Sequence, residues 1–237
     1  MKLMEDVYQV GGPSLSHRFD ATAYLLPGLG NDLVLIDCGA PEGAALIAQN
    51  IRALGFDPGR ITRIYATHGH YDHVGGAGFF DAPLYLHALD QEQVAQGDDR
   101  RSSAALLYGR PMPALAVEGN LAEGDAFSVR AGRVRVLHTP GHSPGSCCFL
   151  LSHRSGLSVL FAGDCLFGGF SPAIGSDEQA WRASLERLCQ EDIDCFTFGH
   201  CPPSLLCDAK RRLQSLKQSF ANYYNPWFKD FYREYPY

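Results

Sequence analysis

A β-rich run, Ile61–Ala66, passes without a break into Thr67-His68-Gly-His70-Tyr-Asp72-His73-Val-Gly75-Gly76. Three imidazoles and one carboxylate fall within six residues of that stretch. A fixed arrangement of so many ligand-type groups requires a rigid scaffold behind them, so the segment constrains the fold as well as the chemistry. Imidazole nitrogen and carboxylate oxygen suit zinc and related divalent transition metals. A loop at a strand end turns neighbouring side chains in different directions, which lets His68/His70 and Asp72/His73 serve two adjacent ions. Gly69, Gly75 and Gly76 permit the close backbone packing such a loop needs.

Three further segments repeat the local logic, each placing a ligand-type residue after a β-rich run. Val134–Leu137 leads into His138-Thr-Pro-Gly-His142, Leu157–Ala162 into Gly163-Asp164, and Cys195–Phe198 into Gly199-His200. Ala21–Leu26, Leu33–Ile36, Pro83–Leu86 and Cys147–Leu151 read as further strands bounded by turn residues. Pro41–Leu54, Asp177–Gln190 and Asp208–Phe220 read as helices. In the second of these Trp181, Leu185 and Leu188 recur at helical spacing behind a cap at Ser176 or Asp177. Gln96–Glu118 breaks the alternation, polar at first and then rich in Pro and Gly. No linker divides the chain, and the pattern predicts one α/β domain over residues 1–237 with an aromatic-rich tail from about 220.

Composition narrows the partners. The chain has 237 residues and a formal net charge of −6, the wrong sign for a surface that tracks phosphate backbones, so nucleic acid is not an expected partner. The longest apolar runs fall far short of the ~20 residues of a membrane span, and the N-terminus carries no secretory pattern. Eight cysteines occur without a CxxC pair or a disulfide-like spacing. A soluble protein of the reducing cytoplasm is the expectation.

The ordered set THGHYDHVGG, HTPGHSPGS, FAGDCLF and FGH resembles the metallo-β-lactamase fold superfamily, with the glyoxalase II-like hydrolases as the nearest branch. The resemblance runs from about Ala21 to His200. It implies a four-layer αββα sandwich with the metals at one edge of two facing sheets. It also implies that His68, His70 and His142 hold a first metal, that Asp72, His73 and His200 hold a second, and that Asp164 bridges both. Two divalent ions are expected, zinc first, with iron or manganese as alternatives. The β-lactam-hydrolysing members lack the bridging carboxylate, so Asp164 points away from antibiotic hydrolysis. Asp37 resembles a family position that braces the metal loop, with a helix cap or turn residue as its other reading. His138 is expected to support the site rather than ligate, while His17, His87 and His153 are expected on the surface or in loops. Cys165 and Cys201 adjoin ligands but are expected to point away from the metals.

The implied chemistry is attack by a metal-bridging hydroxide on an ester, thioester or lactone carbonyl of a small molecule, with Asp72 and Asp164 as catalytic carboxylates. Two other readings stand beside it. One is a mononuclear-iron, persulfide dioxygenase-like oxidoreductase using His68, His142 and Asp164. The other is a non-catalytic metal-binding sensor or effector. The loop Cys165–Gly175, with Phe167 and Phe170, is expected to line the substrate pocket, opposite a wall or lid at Arg100–Met112. The tail aromatics, Phe220, Tyr223, Tyr224, Trp227, Phe228, Phe231, Tyr232, Tyr235 and Tyr237, pack on the domain, roof the site or form a homodimer interface.

Overall fold

In a computed structural model, which describes residues 1–166 and 171–222, strands that are apolar on both sides fill the middle of the molecule. Strand β4 (Leu33–Ile36) shows the reason. Leu33 and Leu35 join one buried cluster while Val34 and Ile36 join another, so alternate residues face two different cores. A strand covered on both faces has no use for a polar side, and its sequence is continuously apolar.

Among the described residues the first sheet runs in chain order: β1 (Lys2–Met4), β2 (Val7–Gly11), β3 (Ala23–Pro27), β4, β5 (Ile61–Tyr65), β6 (Leu84–His87) and β7 (Gly119–Leu121). The strands β1 to β4 pair antiparallel and β4 to β7 parallel. The second sheet comprises β8 (Ala126–Val129), β9 (Gly132–His138), β10 (Cys147–His153), β11 (Ser158–Phe161), β12 (Cys195–Thr197) and β13 (Leu206–Cys207), and these strands too are neighbours in chain order. Within it β11 and β12 are parallel, and the other pairs are antiparallel.

Three clusters of buried side chains define four layers. Tyr24, Leu26, Val34, Ile36 and Tyr65 of the first sheet meet Val134, Val136, Phe149, Leu151 and Phe161 of the second. Helix α1 (Ala44–Ala53) lays Ala44, Ile47, Ala48 and Ile51 on the outer face of the first sheet. On the outer face of the second, α4 (Glu178–Leu188) contributes Trp181, Leu185 and Leu188, and α5 (Ala209–Asn222) contributes Leu213. The one-turn α2 (Tyr71–Val74) and the longer α3 (Ala88–Gln96) sit beside the first sheet. This is the αββα sandwich. Each fully buried large apolar side chain stabilises it by about 1.5–3 kcal/mol relative to exposure.

The predicted strands and helices recur with small shifts at their ends, and the cap of α4 is Asp177, which accepts from the Ala180 amide. Predicted structure misses β1, β2, β7, β8, β13 and, most importantly, α3. His153 was expected on the surface or in a loop. It is instead a buried residue of β10 whose Nε2 lies 3.0 Å from the Glu5 carbonyl, fastening the second sheet to the N-terminal strands. All eight cysteines are free. No helix of the described residues is long and apolar enough to cross a membrane. The aromatic segment from Tyr223 on, with its packing, roofing and dimer readings, lies outside the described residues, as do Phe167 and Phe170.

Candidate metal centre

Strand direction determines where the loops meet. β4 and β5 run parallel, as do β11 and β12, and β9 runs with the latter pair because two antiparallel steps separate it from β11. The loops leaving β5, β9, β11 and β12 carry the histidines and aspartates predicted from sequence, and the structure brings all seven together.

His68 Nε2 and His142 Nε2 lie 3.0 and 2.9 Å from His70 Nδ1, so three imidazoles from two loops converge on one point. A second trio stands beside them. His200 Nε2 is 3.1 Å and His73 Nε2 3.7 Å from Asp72 Oδ2. Asp164 sits between the trios: its carboxylate oxygens are 3.4 Å from His142 Nε2 and 3.3 Å from both His73 Nε2 and His200 Nε2. One glycine makes room for it, because a Cβ on Gly199 would stand 1.9 Å from Asp164 Oδ1. In each trio the ligand-type atoms lie within 4.8 Å of one another. His73 Nε2 and Asp164 Oδ1 are buried and face each other at 3.3 Å, and no well-formed hydrogen bond satisfies either atom. Buried polar atoms are seldom left so, and a cation with a preference for nitrogen and oxygen would satisfy both. The residues fit divalent transition-metal ions in number and in chemistry.

Asp37 proves to be a brace rather than a cap. It ends β4 in the left-handed region, at φ 57°, where its carboxylate turns back toward the loop after β5. The Thr67 amide donates to Oδ1 at 2.7 Å, and the Thr67 hydroxyl donates to Oδ2 at 2.8 Å. His73 Nδ1 lies 2.9 Å from the same Oδ2, which directs His73 Nε2 at Asp72 and Asp164. Backbone ties close the far side. Ala21 N donates to Asp72 O at 3.1 Å, Thr22 N to Gly199 O at 2.7 Å, and Gly199 N to Gly163 O at 2.8 Å.

Charge is distributed unequally. Burial and the neighbouring imidazoles hold His68 and His70 well below the usual histidine range. Burial alone would lower His73 and His200 too, but the carboxylates beside them win. His73 is raised well above its ordinary value, and Asp164 and Asp72 push His200 up to about 10. Burial alone would raise the two carboxyls. His73 and His200 reverse that, holding Asp72 at about 2 and Asp164 well below the usual carboxylate range.

The remaining candidates fall outside these groups. His138 stacks on His87 with ring centroids 3.9 Å apart and reaches the Pro144 carbonyl with Nε2 at 3.0 Å. His17 Nδ1 accepts from the Phe19 amide at 3.3 Å. Cys165 is packed with Trp181 and Leu185, and the Cys201 thiol faces the Phe198 carbonyl. Residues 98–112 lie against the metal loop, where Tyr71 N donates to Ser102 O at 2.9 Å.

Two residues escaped the sequence reading. Tyr108 ends a single π-helical turn, Ala104–Tyr108, and its ring packs 5.3 Å from Tyr71 and 5.2 Å from Phe19. Its phenol lies against the Asp72 carboxylate, and burial and that neighbour together raise its pKa. Asp90, on α3, is fully buried behind His68 and His70. No motif marks either residue.

The sequence model of the metallo-beta-lactamase superfamily matches residues 18–200. A probable metallo-hydrolase of Bacillus subtilis, YqgX, is 32% identical over 192 residues, which cover 77% of this chain and 85% of that protein. An uncharacterized protein of Aquifex aeolicus is 43% identical over 58% of this chain and 61% of its own length. An atrochrysone carboxyl ACP thioesterase of Passalora fulva is 29% identical over 77% of this chain. The chain spans only about half of that thioesterase, 49%. Among solved structures, the subclass B3 metallo-beta-lactamase BJP-1 of Bradyrhizobium japonicum superposes with a TM-score of 0.73, covering 99% of this chain and 92% of that one at 21% identity. At that identity the likeness is one of fold.

Proposed function

Because the chain belongs to the metallo-beta-lactamase superfamily, whose sequence model covers residues 18–200, we propose that it is a binuclear metal-dependent hydrolase of ester, thioester or lactone bonds in a small-molecule substrate. The observation that carries this reading is the place of Asp164, within 3.4 Å of an imidazole of the nitrogen trio and within 3.3 Å of two imidazoles of the mixed trio. A carboxylate so placed is shared by both halves of the centre. Two divalent ions bound there would lower the pKa of a water from ~15.7 toward ~7 and polarise a carbonyl oxygen.

The protein's own groups supply the rest. Asp72 and Asp164 are held ionised, so each can accept a hydrogen bond from the attacking water and fix its direction. Asp72 pairs with His200, whose side chain is 22% exposed while those of Asp72 and Asp164 are 4% and 7% exposed. Asp164 reaches the same imidazole but is shared with His142 of the other half, so Asp72, which belongs to one half alone, is the carboxylate assigned to pass a proton outward to the departing alcohol or thiol. Asp37, through Thr67 and His73, keeps the loop from relaxing when charge shifts during the reaction. The thioesterase names among the relatives support an acyl-transfer substrate, and Asp164 argues against a β-lactam.

Metal analysis of the purified protein with a panel of 4-nitrophenyl esters, acyl thioesters and lactones tests the reading. It expects two ions per chain, hydrolysis of at least one class, and loss of that activity on chelation with recovery on adding zinc. One iron per chain with oxygen uptake in the presence of a persulfide would replace it with the dioxygenase reading. Two ions without turnover of any class would replace it with the sensor.

A further inference from the structure

The nitrogen trio is assembled from two loops, and within the histidines themselves the approach of His142 Nε2 to His70 Nδ1, 2.9 Å, is the contact that spans them. A backbone bond from Cys147 N to Thr67 O, 2.7 Å, joins them at their outer ends. Closer to the imidazoles the connection is a side chain from outside both loops. Gly69 N, between His68 and His70, donates to Asp90 Oδ2 at 2.9 Å. On the other loop Ser143, next to His142, donates from its hydroxyl to the same oxygen at 2.6 Å, and Gly145 N donates to Asp90 Oδ1 at 2.8 Å. Three residues further along α3, Gln93 Nε2 donates to Gly69 O at 3.3 Å. One helix face thus grips both the N–H and the C=O of Gly69, the residue between two ligand positions. The fit is close: a Cβ on Gly69 would meet Gln93 Nε2 at 2.6 Å and Asp90 Cβ at 3.2 Å.

We infer that Asp90 is a positioning residue for the nitrogen trio, locking the His68/His70 loop to the His142 loop so that the three imidazoles converge before an ion arrives. The inference rests on the two-ion reading above, but it can fail separately from it. Asp90 makes no contact with Asp72, His73 or His200 that the hydrogen bonds show; those residues depend on Asp37 and on the ties at Thr22 and Gly199. Its loss therefore acts on one half of the centre. Only the ionised carboxylate accepts on both oxygens. In Asp90→Asn one of them becomes an NH2 group, which in either orientation must face a donor of Gly69, Ser143 or Gly145.

The test compares zinc affinity, by chelator competition on the full chain, in four proteins: wild type, His200→Ala, and each with Asp90→Asn. His200→Ala isolates the nitrogen trio. In that background Asp90→Asn is expected to weaken zinc binding ~10–100-fold, the usual scale for groups that orient metal-binding histidines. The absorption bands of the cobalt-substituted protein should shift as well, which a change in general stability would not produce. Ser143→Ala removes one of the three bonds and is expected to give the same shift at smaller amplitude, so it carries the test if Asp90→Asn does not fold. Unchanged affinity and an unchanged cobalt spectrum would overturn the inference. So would equal weakening of both sites in the wild-type background, which would make Asp90 a residue of the fold at large. Wild-type protein holding a single ion would defeat the two-ion reading and leave the Asp90 comparison intact.

Discussion

The two halves of the centre lie within one cluster and are built on opposite principles. The nitrogen half consists of His68, His70 and His142, all buried, with His68 and His70 driven toward their neutral form by burial and by one another. Neutral imidazoles with converging lone pairs are ready ligands, and their arrangement is imposed from outside by α3. The mixed half, Asp72, His73 and His200 with Asp164 at its edge, is a charge-compensated cluster. Two ionised carboxylates are balanced by two histidines that hold protons. Those protons occupy the electrostatic place of a cation. The lesson is that the first half is organised by geometry and the second by charge, so different perturbations should separate them.

Asp164→Asn should produce the largest effect because Asp164 belongs to both halves. The change conserves shape and removes the negative charge, so two neighbouring cations would repel each other with less between them. The expected outcome is loss of one ion per chain and a fall in turnover of ~10³-fold, the scale on which lost electrostatic stabilisation at a reacting centre is felt. Metal analysis and kinetics on the same preparation check it. Full occupancy by two ions would remove Asp164 from the shared position and collapse the comparison into two independent sites.

Much of this was legible in the sequence because ligands sit directly after strands. His68, His142, Asp164 and His200 each follow an apolar run, and buried strands announce themselves by composition. The bracing was far less visible. Helix α3, Ala-Leu-Asp-Gln-Glu-Gln-Val-Ala-Gln, has no apolar stripe: Leu89 is 55% exposed, while its buried residues are Asp90, Gln93 and Val94. Hydrophobic periodicity fails because this helix turns polar groups inward to hold a loop. β2 hides for a related reason, since its buried Gln9 donates to Gly11 O and Cys201 O. Tyr108 owes its place to a π-helical turn flanked by left-handed Ser103 and Gly109, a conformation no local pattern predicts. Where side chains meet one another the sequence speaks plainly; where side chains meet distant backbone it does not.

The pH dependence of metal binding sharpens the comparison at an intermediate scale. A raised pKa means the proton is bound below that value, so at pH 7 His200, with a pKa pushed up to about 10, must release a proton before it can ligate. His68 and His70 are shifted the other way and release none above pH 7. Zinc affinity of the mixed half, isolated by His142→Ala, should therefore rise about tenfold per pH unit between pH 7 and 9 for each proton displaced. The nitrogen half, isolated by His200→Ala, should stay nearly flat over the same range. Chelator competition at three pH values measures both slopes. Parallel slopes would mean the two halves do not differ in charge as described.

The smallest change concerns a single oxygen. Tyr108→Phe keeps the ring against Tyr71 and Phe19, so packing and folding should survive, and removes only the phenol that faces Asp72. A donor at that position favours the ionised carboxylate, and its loss should raise the Asp72 pKa and weaken Asp72 as ligand and proton carrier. Hydrogen bonds to charged groups are stronger than neutral ones, but Tyr108 is only half-buried and water can take the place of its hydroxyl. A decrease of ~2–10-fold in kcat is therefore expected, with metal content complete and Tm unchanged. Because Tyr108 touches the mixed half alone, zinc affinity in the His142→Ala background should fall slightly while that in the His200→Ala background stays constant. An equal loss in both backgrounds would show that the π-helical turn supports the whole centre, and no loss in either, with kcat intact, would leave the Tyr108 hydroxyl without a role beside Asp72.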